Sequence, residues 1–189
     1  TVPVGTSSPA VEPDSAVRSA LPARLARMVG RKDSVATIRT KLDAQRFVAI
    51  VGPGGIGKTT VAVAVAHEMR AIFNGRVCFV DVGSLGSDSL VAPAVAASFG
   101  LVIQTDDVVP ALVGRLLDAP TLLVLDGCEH VIDGVSVLAE KLFQGVQTLH
   151  LLATSREAMR VEGECVHELA ALACPPDNAE ASARSVLQY

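Results

Sequence analysis

Residues 52–60 read Gly-Pro-Gly-Gly-Ile-Gly-Lys-Thr-Thr, and no other stretch restricts the fold of this 189-residue chain so tightly. They satisfy G-x-x-x-x-G-K-[ST], with Gly52, Gly57, Lys58 and Thr59 at the fixed positions. Immediately before them, Phe47-Val48-Ala49-Ile50-Val51 is a short apolar run that predicts a buried strand. Immediately after, Val61, Val65, Met69 and Phe73 recur at four-residue intervals and predict a helix. Strand, glycine-rich turn and helix together are the context in which this motif wraps a phosphate group.

The residue types follow from what a polyphosphate demands. Its oxygens need many donors at short range, and consecutive backbone N–H groups supply them only where no side chain blocks the approach. Gly54, Gly55 and Gly57 remove those side chains and let the loop curl through positive φ. A helix starting near Lys58 adds unpaired N–H groups and the positive end of its dipole. Lys58 can bring its ammonium to the β- and γ-phosphates, and the Thr59 hydroxyl can ligate Mg²⁺. Pro53, Ile56 and Thr60 complete the cradle.

The core has to be aliphatic. Half of the residues are apolar, yet only five Phe and one Tyr supply aromatic rings. Aliphatic runs separated by helical stretches point to a parallel sheet covered on both faces. A net charge of −4 without a lysine–arginine block gives no support for nucleic-acid binding by this segment. Cys78, Cys128, Cys165 and Cys174 have neither C-x-x-C spacing nor partnering histidines, which fits reduced thiols in the cytoplasm. No run of apolar residues is long enough to span a membrane, and the first residues lack the pattern of a signal peptide.

In chain order, residues 1–20 are rich in Pro, Ser, Ala and Val and read as a linker or the tail of a preceding domain. Residues 21–176 read as the nucleotide-binding unit, and 177–189 as the start of a further helical module. Val35, Ile38 and Leu42 mark one helix face; the helix after the glycine-rich loop should stop near Asn74-Gly75. Residues 76–82 form the second predicted strand, and Asp88 is placed to cap a helix that runs to Phe99. Asp106 or Asp107 caps another, with Leu112, Leu116 and Leu117 on its buried side. A helix with Val131, Val135, Leu138 and Leu142 follows the third strand, and residues 164–172 form a weaker fifth strand.

Two acids and an arginine stand at or just beyond strand ends. The third strand, Thr121-Leu122-Leu123-Val124-Leu125-Asp126, closes on a carboxylate where parallel sheets present their ligands. Asp126 can hold Mg²⁺ there, directly or through water, although an acid at a strand end also caps turns. Glu129 is placed either to orient an attacking water or simply to favour a helix N-terminus. The fourth strand, 148–154, ends in Thr154-Ser155-Arg156 on the same edge, where Arg156 can meet a γ-phosphate.

These residues in this order resemble the nucleotide-binding domain of the STAND class of P-loop ATPases, the NB-ARC-like group. More narrowly, they are similar to the predicted ATPases of large bacterial transcriptional regulators. The resemblance is carried by Leu21-Pro22 with Val29-Gly30-Arg31, by residues 51–59, by residues 122–130, by residues 152–158 and by Val161-Glu162-Gly163-Glu164. It implies an α/β, three-layer P-loop NTPase domain with a five-stranded parallel sheet in the order 2-3-4-1-5. It places Val29, Gly30 and Arg31 on the base side of the pocket and makes Arg156 a nucleotide sensor. It further implies an ADP-held resting state, an ATP-bound active state that often oligomerises, an upstream winged-helix DNA-binding domain and a downstream helical module. The pattern departs at Gly127, where the family usually has Asp or Asn, which removes a polar group near the γ-phosphate. It departs again at 169–172, which lack the usual Pro-Leu pair and receive no base-contact role.

The expectation is a cytoplasmic regulatory switch that binds ATP or ADP with Mg²⁺ and is a weak ATPase at most. Lys58, Asp126, Glu129 and Arg156 are its candidate catalytic residues, and Thr59 and Asp126 its metal ligands. The rival readings are a small-molecule kinase and a structural nucleotide-binding module without turnover. The sequence offers the kinase no arginine-rich lid and no acceptor motif. It also lacks Asn-Lys-x-Asp, which a guanine-nucleotide switch needs, and Leu-Ser-Gly-Gly-Gln, which a transporter ATPase needs.

Overall fold

The computed structural model describes residues 21–24, 28–102 and 107–172. The proposed linker, Asp106, the Cys174-Pro175-Pro176 segment and the proposed C-terminal helix lie outside the described residues. Five strands form one parallel sheet: β1 (Phe47–Val51), β2 (Val77–Asp81), β3 (Thr121–Asp126), β4 (Leu149–Ser155) and β5 (Cys165–Glu168). Their spatial order is β2-β3-β4-β1-β5, as the resemblance implies. Phe47 stands beside Leu151, Thr121 beside Leu149, Val77 beside Leu122, and Val48 beside Cys165.

The period-2 geometry of each strand explains the unbroken aliphatic runs. Successive side chains point to opposite faces, and both faces are covered. Val48, Ile50, Leu122, Val124 and Leu152 pack with α1 (Lys32–Gln45) and α2 (Lys58–Met69). Ala49, Leu123, Leu125, Leu151 and Ala153 pack with α3 (Val91–Ser98), α4 (Val109–Leu117) and α5 (Ile132–Gly145). A polar residue inside any of these strands would have to face one apolar layer or the other. Apart from Thr121 and His150 near the opposite edge, the polar residues of β3 and β4 stand at the carboxyl edge, where these strands end in Asp126 and in Thr154-Ser155.

Several predicted boundaries shift for local reasons. α2 ends at Met69, and a turn carries the chain to Gly75, whose N–H bonds Arg70 O at 2.8 Å. Phe73 stays buried although it lies outside the helix. Ser87, not Asp88, is the cap: its hydroxyl accepts from the Ser89 N–H and opens a single 3₁₀ turn before α3. Asp88 instead accepts from the Gly134 N–H and ties that turn to α5. Pro93 sits in the opening turn of α3, where its missing donor costs nothing. β5 is only four residues long, and Leu169 adds one more bond, to Val51 O at 2.8 Å.

The predicted buried face of α4 is also narrower than expected. Leu112 and Leu116 are fully enclosed, whereas Leu117 is 59% exposed. Leu116→Ala should therefore cost about 2–5 kcal/mol of stability, as a core truncation does. Leu117→Ala should change it by no more than about 0.5 kcal/mol. Urea unfolding of the two variants checks the pair; equal losses would contradict the observed burial.

Candidate functional site

The glycine-rich loop leaves β1 and turns into α2 with Gly57 in the left-handed region, φ 96°. No side chain caps α2, and its first backbone bond within the helix runs from Val61 N to Gly57 O. The N–H groups of the opening turn therefore have no carbonyl of their own helix to reach. Gly55 also holds positive φ, 75°, and a Cβ on either glycine would meet nothing within 4 Å. The open space over those donors is a cavity of about 330 Å³. Lys58, Thr59, Gly127, Glu129, Thr154 and Arg156 complete its wall.

Each charged group here is held by specific partners. Lys58 is buried, and its Nζ donates to Gly52 O at 2.8 Å and Pro53 O at 3.0 Å. The Thr59 hydroxyl lies 2.9 Å from both oxygens of Asp126. Thr154 donates to Asp126 Oδ1 at 2.6 Å and accepts the Gly127 N–H at 2.9 Å. β4 lies between β1 and β3, so the residue at its carboxyl end falls beside Asp126 and across from the loop. The sequence places Thr154 on the same sheet edge as Asp126 but assigns it no role in the site. Its role depends on strand adjacency, which has no local signal.

Glu129 and Arg156 form an ion pair on the wall of the cavity, Oε1 to Nε at 3.5 Å. Glu129 Oε2 is buried without a hydrogen-bond partner among the described residues. A Cβ on Gly54 would lie 3.6 Å from Arg156 Nη2, so the guanidinium overhangs the loop. His130, by contrast, is exposed.

Gly127 has its own explanation. It sits at φ 77° in the left-handed region, and a Cβ there would lie 3.0 Å from Gly83 Cα. Asn and Asp tolerate this backbone conformation, but either would push the chain after β2 outward. The departure from Asp or Asn is thus matched by a close approach of two backbones.

The base-side residues separate. Val29 is exposed and Gly30 has φ 69°, whereas Arg31 is buried. Arg31 Nη1 donates to Ala170 O at 2.6 Å and Nη2 to Ile56 O at 2.7 Å, which joins the glycine-rich loop to the tail of β5. A second cavity, about 380 Å³, opens beside the loop between residues 51–53 and 168–170. Leu169 and Ala170, given no role from the sequence, line it because Leu169 pairs with Val51.

The cradle fits a polyphosphate: side-chain-free backbone, unpaired helix donors, one lysine and one arginine converge on a single space. Thr59 and Asp126 fit Mg²⁺, which takes few protein ligands and keeps waters and phosphate oxygens for the rest. The described residues contain no group of three or more His, Cys, Asp or Glu able to hold a metal.

The NB-ARC domain pattern matches residues 31–163. This chain belongs to the NB-ARC family. A Mycobacterium tuberculosis protein described as uncharacterized is 30% identical over 157 residues, 82% of this chain and 40% of that protein. A putative HTH-type transcriptional regulator of the same species is 34% identical over 131 residues, 67% of this chain and 14% of the regulator. Regulatory protein AfsR of Streptomyces griseus is 30% identical over 152 residues, 74% of this chain and 15% of AfsR. The chain thus matches segments of longer proteins.

Among solved structures, the Pyrobaculum aerophilum Cdc6p superposes with a TM-score of 0.55 at 18% identity, covering 81% of this chain and 48% of that one. A STAND protein with a tetratricopeptide repeat sensor from Pyrococcus horikoshii gives 0.53 at 17%, covering 84% and 25%. At these identities the likeness is one of fold, and the fold is that of P-loop ATPases. No helix among the described residues of this NB-ARC domain is long and apolar enough to cross a membrane.

Behind Asp126 the NB-ARC site is apolar. Burial, reinforced by the neighbouring Asp126 carboxylate, pushes the Cys128 thiol from 9.0 up to about 12. The folded thiol stays protonated where the unfolded one ionises, so its contribution is full below about 9 and is lost as pH rises towards about 12. Between pH 8 and 10 the wild-type chain should lose about 1–1.5 kcal/mol more stability than Cys128→Ala. Urea titrations at the two pH values measure the difference; parallel losses would contradict a thiol kept neutral.

Proposed function

We propose that this NB-ARC domain binds ADP or ATP with Mg²⁺ and works as a regulatory switch within a longer signalling or transcriptional-regulatory protein. The observation that carries the reading is the convergence of Lys58, the open N-terminus of α2 and the overhanging Arg156 on one cavity. In it Lys58 exchanges its two carbonyl contacts for β- and γ-phosphate oxygens, and the N–H groups of residues 54–60 take the remaining lone pairs. Arg156 reads whether a third phosphate is present, because its guanidinium overhangs Gly54 on the wall of the same cavity. Asp126 and Thr59 form the metal-facing pair, with Thr154 fixing the carboxylate. Bound Mg²⁺ supplies charge neutralisation between the phosphates and this pair. Val29, Gly30 and Arg31 stand on the base side, where Arg31 acts through the backbone it braces.

Turnover is slow at most. Glu129 is engaged with Arg156, and Gly127 contributes only its N–H, already donated to Thr154. These features support a domain that holds nucleotide and changes partners with it, in preference to a phosphotransferase. The relatives' names support a regulatory setting on a longer chain. The family resemblance adds a DNA-binding module before this domain, a helical module after it and assembly in the ATP state. The cytoplasm is the matching compartment.

Lys58→Ala should abolish ADP and ATP binding, measured by calorimetry with Mg²⁺, while the circular dichroism spectrum is retained. Unchanged affinity in a folded variant would sink the reading. Nucleotide released from the denatured purified protein should be mainly ADP; rapid turnover only with an added acceptor would favour a kinase instead.

A further inference from the structure

Arg156 is the first residue of the loop that joins β4 to β5, and its own side chain is poorly tethered. It is 59% exposed and touches Glu129 only at 3.5 Å. Its place over Gly54 is therefore set by the backbone that carries it. Three residues on, that backbone is fastened. The Met159 side chain is buried in the core beside α5, and the Ser136 hydroxyl of α5, whose proton goes mainly to Ile132 O at 2.7 Å, lies 3.3 Å from Met159 O. The Glu164 carboxylate then closes the loop on itself: Oε1 accepts the Met159 N–H at 3.0 Å and Oε2 the Arg160 N–H at 2.7 Å.

This fork works against a disfavoured backbone. Arg160 has φ 59°, a left-handed conformation that residues with a Cβ rarely adopt without support. Gly163 brings the returning strand onto α5 so closely that a Cβ there would lie 2.5 Å from the Phe143 ring, and Glu164 N bonds Val161 O at 3.1 Å. Glu164 is thus positioned from its own side by packing against α5 and holds two consecutive N–H groups with a carboxylate, the stronger kind of acceptor. The Val161-Glu162-Gly163-Glu164 segment, otherwise without a role in the site, acquires one.

We propose that Glu164 is a positioning residue for nucleotide discrimination: by clasping the Met159 and Arg160 N–H groups it holds Arg156 over the third-phosphate end of the cavity. The inference rests on the reading of Arg156 as the sensor of that phosphate. Glu164 touches no nucleotide itself, so it sets the preference for a triphosphate over a diphosphate and leaves the Lys58 cradle alone.

The test titrates Mg·ADP and the Mg complex of the non-hydrolysable β,γ-imido analogue of ATP into the wild-type chain, Glu164→Ala, Arg156→Ala and the double variant. Glu164→Ala should weaken the analogue by about tenfold, the order of one charge-assisted contact, while ADP affinity is retained. In the Arg156→Ala background the same substitution should have no further effect, because the two act as one unit. Equal losses for both nucleotides, or an undiminished effect without Arg156, would overturn the proposal and leave Glu164 a purely structural residue. A preference unchanged in Arg156→Ala would instead refute the sensor reading, and the inference with it. If Glu164→Ala does not fold, Glu164→Gln carries the test: it keeps one acceptor oxygen and should give an intermediate loss of preference.

Discussion

The opening turn of α2 carries backbone N–H groups that no carbonyl of its own helix can reach, and the carboxyl edge of the sheet is arranged around them. A protein normally closes such an end with a Ser, Thr, Asp or Asn side chain. Here the cap position is Gly57, in a left-handed conformation and without a side chain to offer. The loop before it is stripped of side chains, so the donors stay accessible and aimed into one cavity. β1 delivers the loop from inside the sheet, where it is paired on both sides, by β4 and by β5.

Placing charges at this edge has a cost that the network offsets. Asp126 and Lys58 are both buried, and an unpaired ion at such depth would be strongly destabilising. Asp126 is met by two hydroxyls, Thr59 from α2 and Thr154 from β4, which join three neighbouring elements through one carboxylate. Each hydrogen bond to a charged group contributes about 1.5–3 kcal/mol, enough to hold a carboxylate that has no cationic partner within salt-bridge range among the described residues. Lys58 leans on the carbonyls of Gly52 and Pro53, so its ammonium is kept solvated by the loop it serves. Arg31 does comparable work on the other flank, where two short bonds hold the loop against the tail of β5.

Much of this was legible in the sequence because it depends on local order. Apolar runs such as Leu122-Leu123-Val124-Leu125 belong to strands covered on both faces, and a glycine-rich turn before a helix has few other uses. The strand order came from the family resemblance and not from the runs themselves. Other features depend on which strands become neighbours. Thr154 falls beside Asp126 only because β4 lies next to β3, and Gly127 faces Gly83 only because β2 lies on the far side. Leu117 matched the helical spacing as well as Leu116 did, but spacing alone does not give the width of the face that α5 covers. Asp88 looked like a helix cap and serves instead as a partner to Gly134, 46 residues away.

The central physical claim is that a side-chain-free loop at a helix N-terminus, with one lysine, grips the second phosphate of a nucleotide. Calorimetric titration of the wild-type chain with AMP, ADP and ATP in the presence of Mg²⁺ tests it most directly. ADP and ATP should bind saturably, and AMP should bind at least about a hundredfold more weakly, since it offers nothing for Lys58 and its cradle to hold. AMP binding as tightly as ADP, or no heat of association with any of the three in a folded sample, would contradict it.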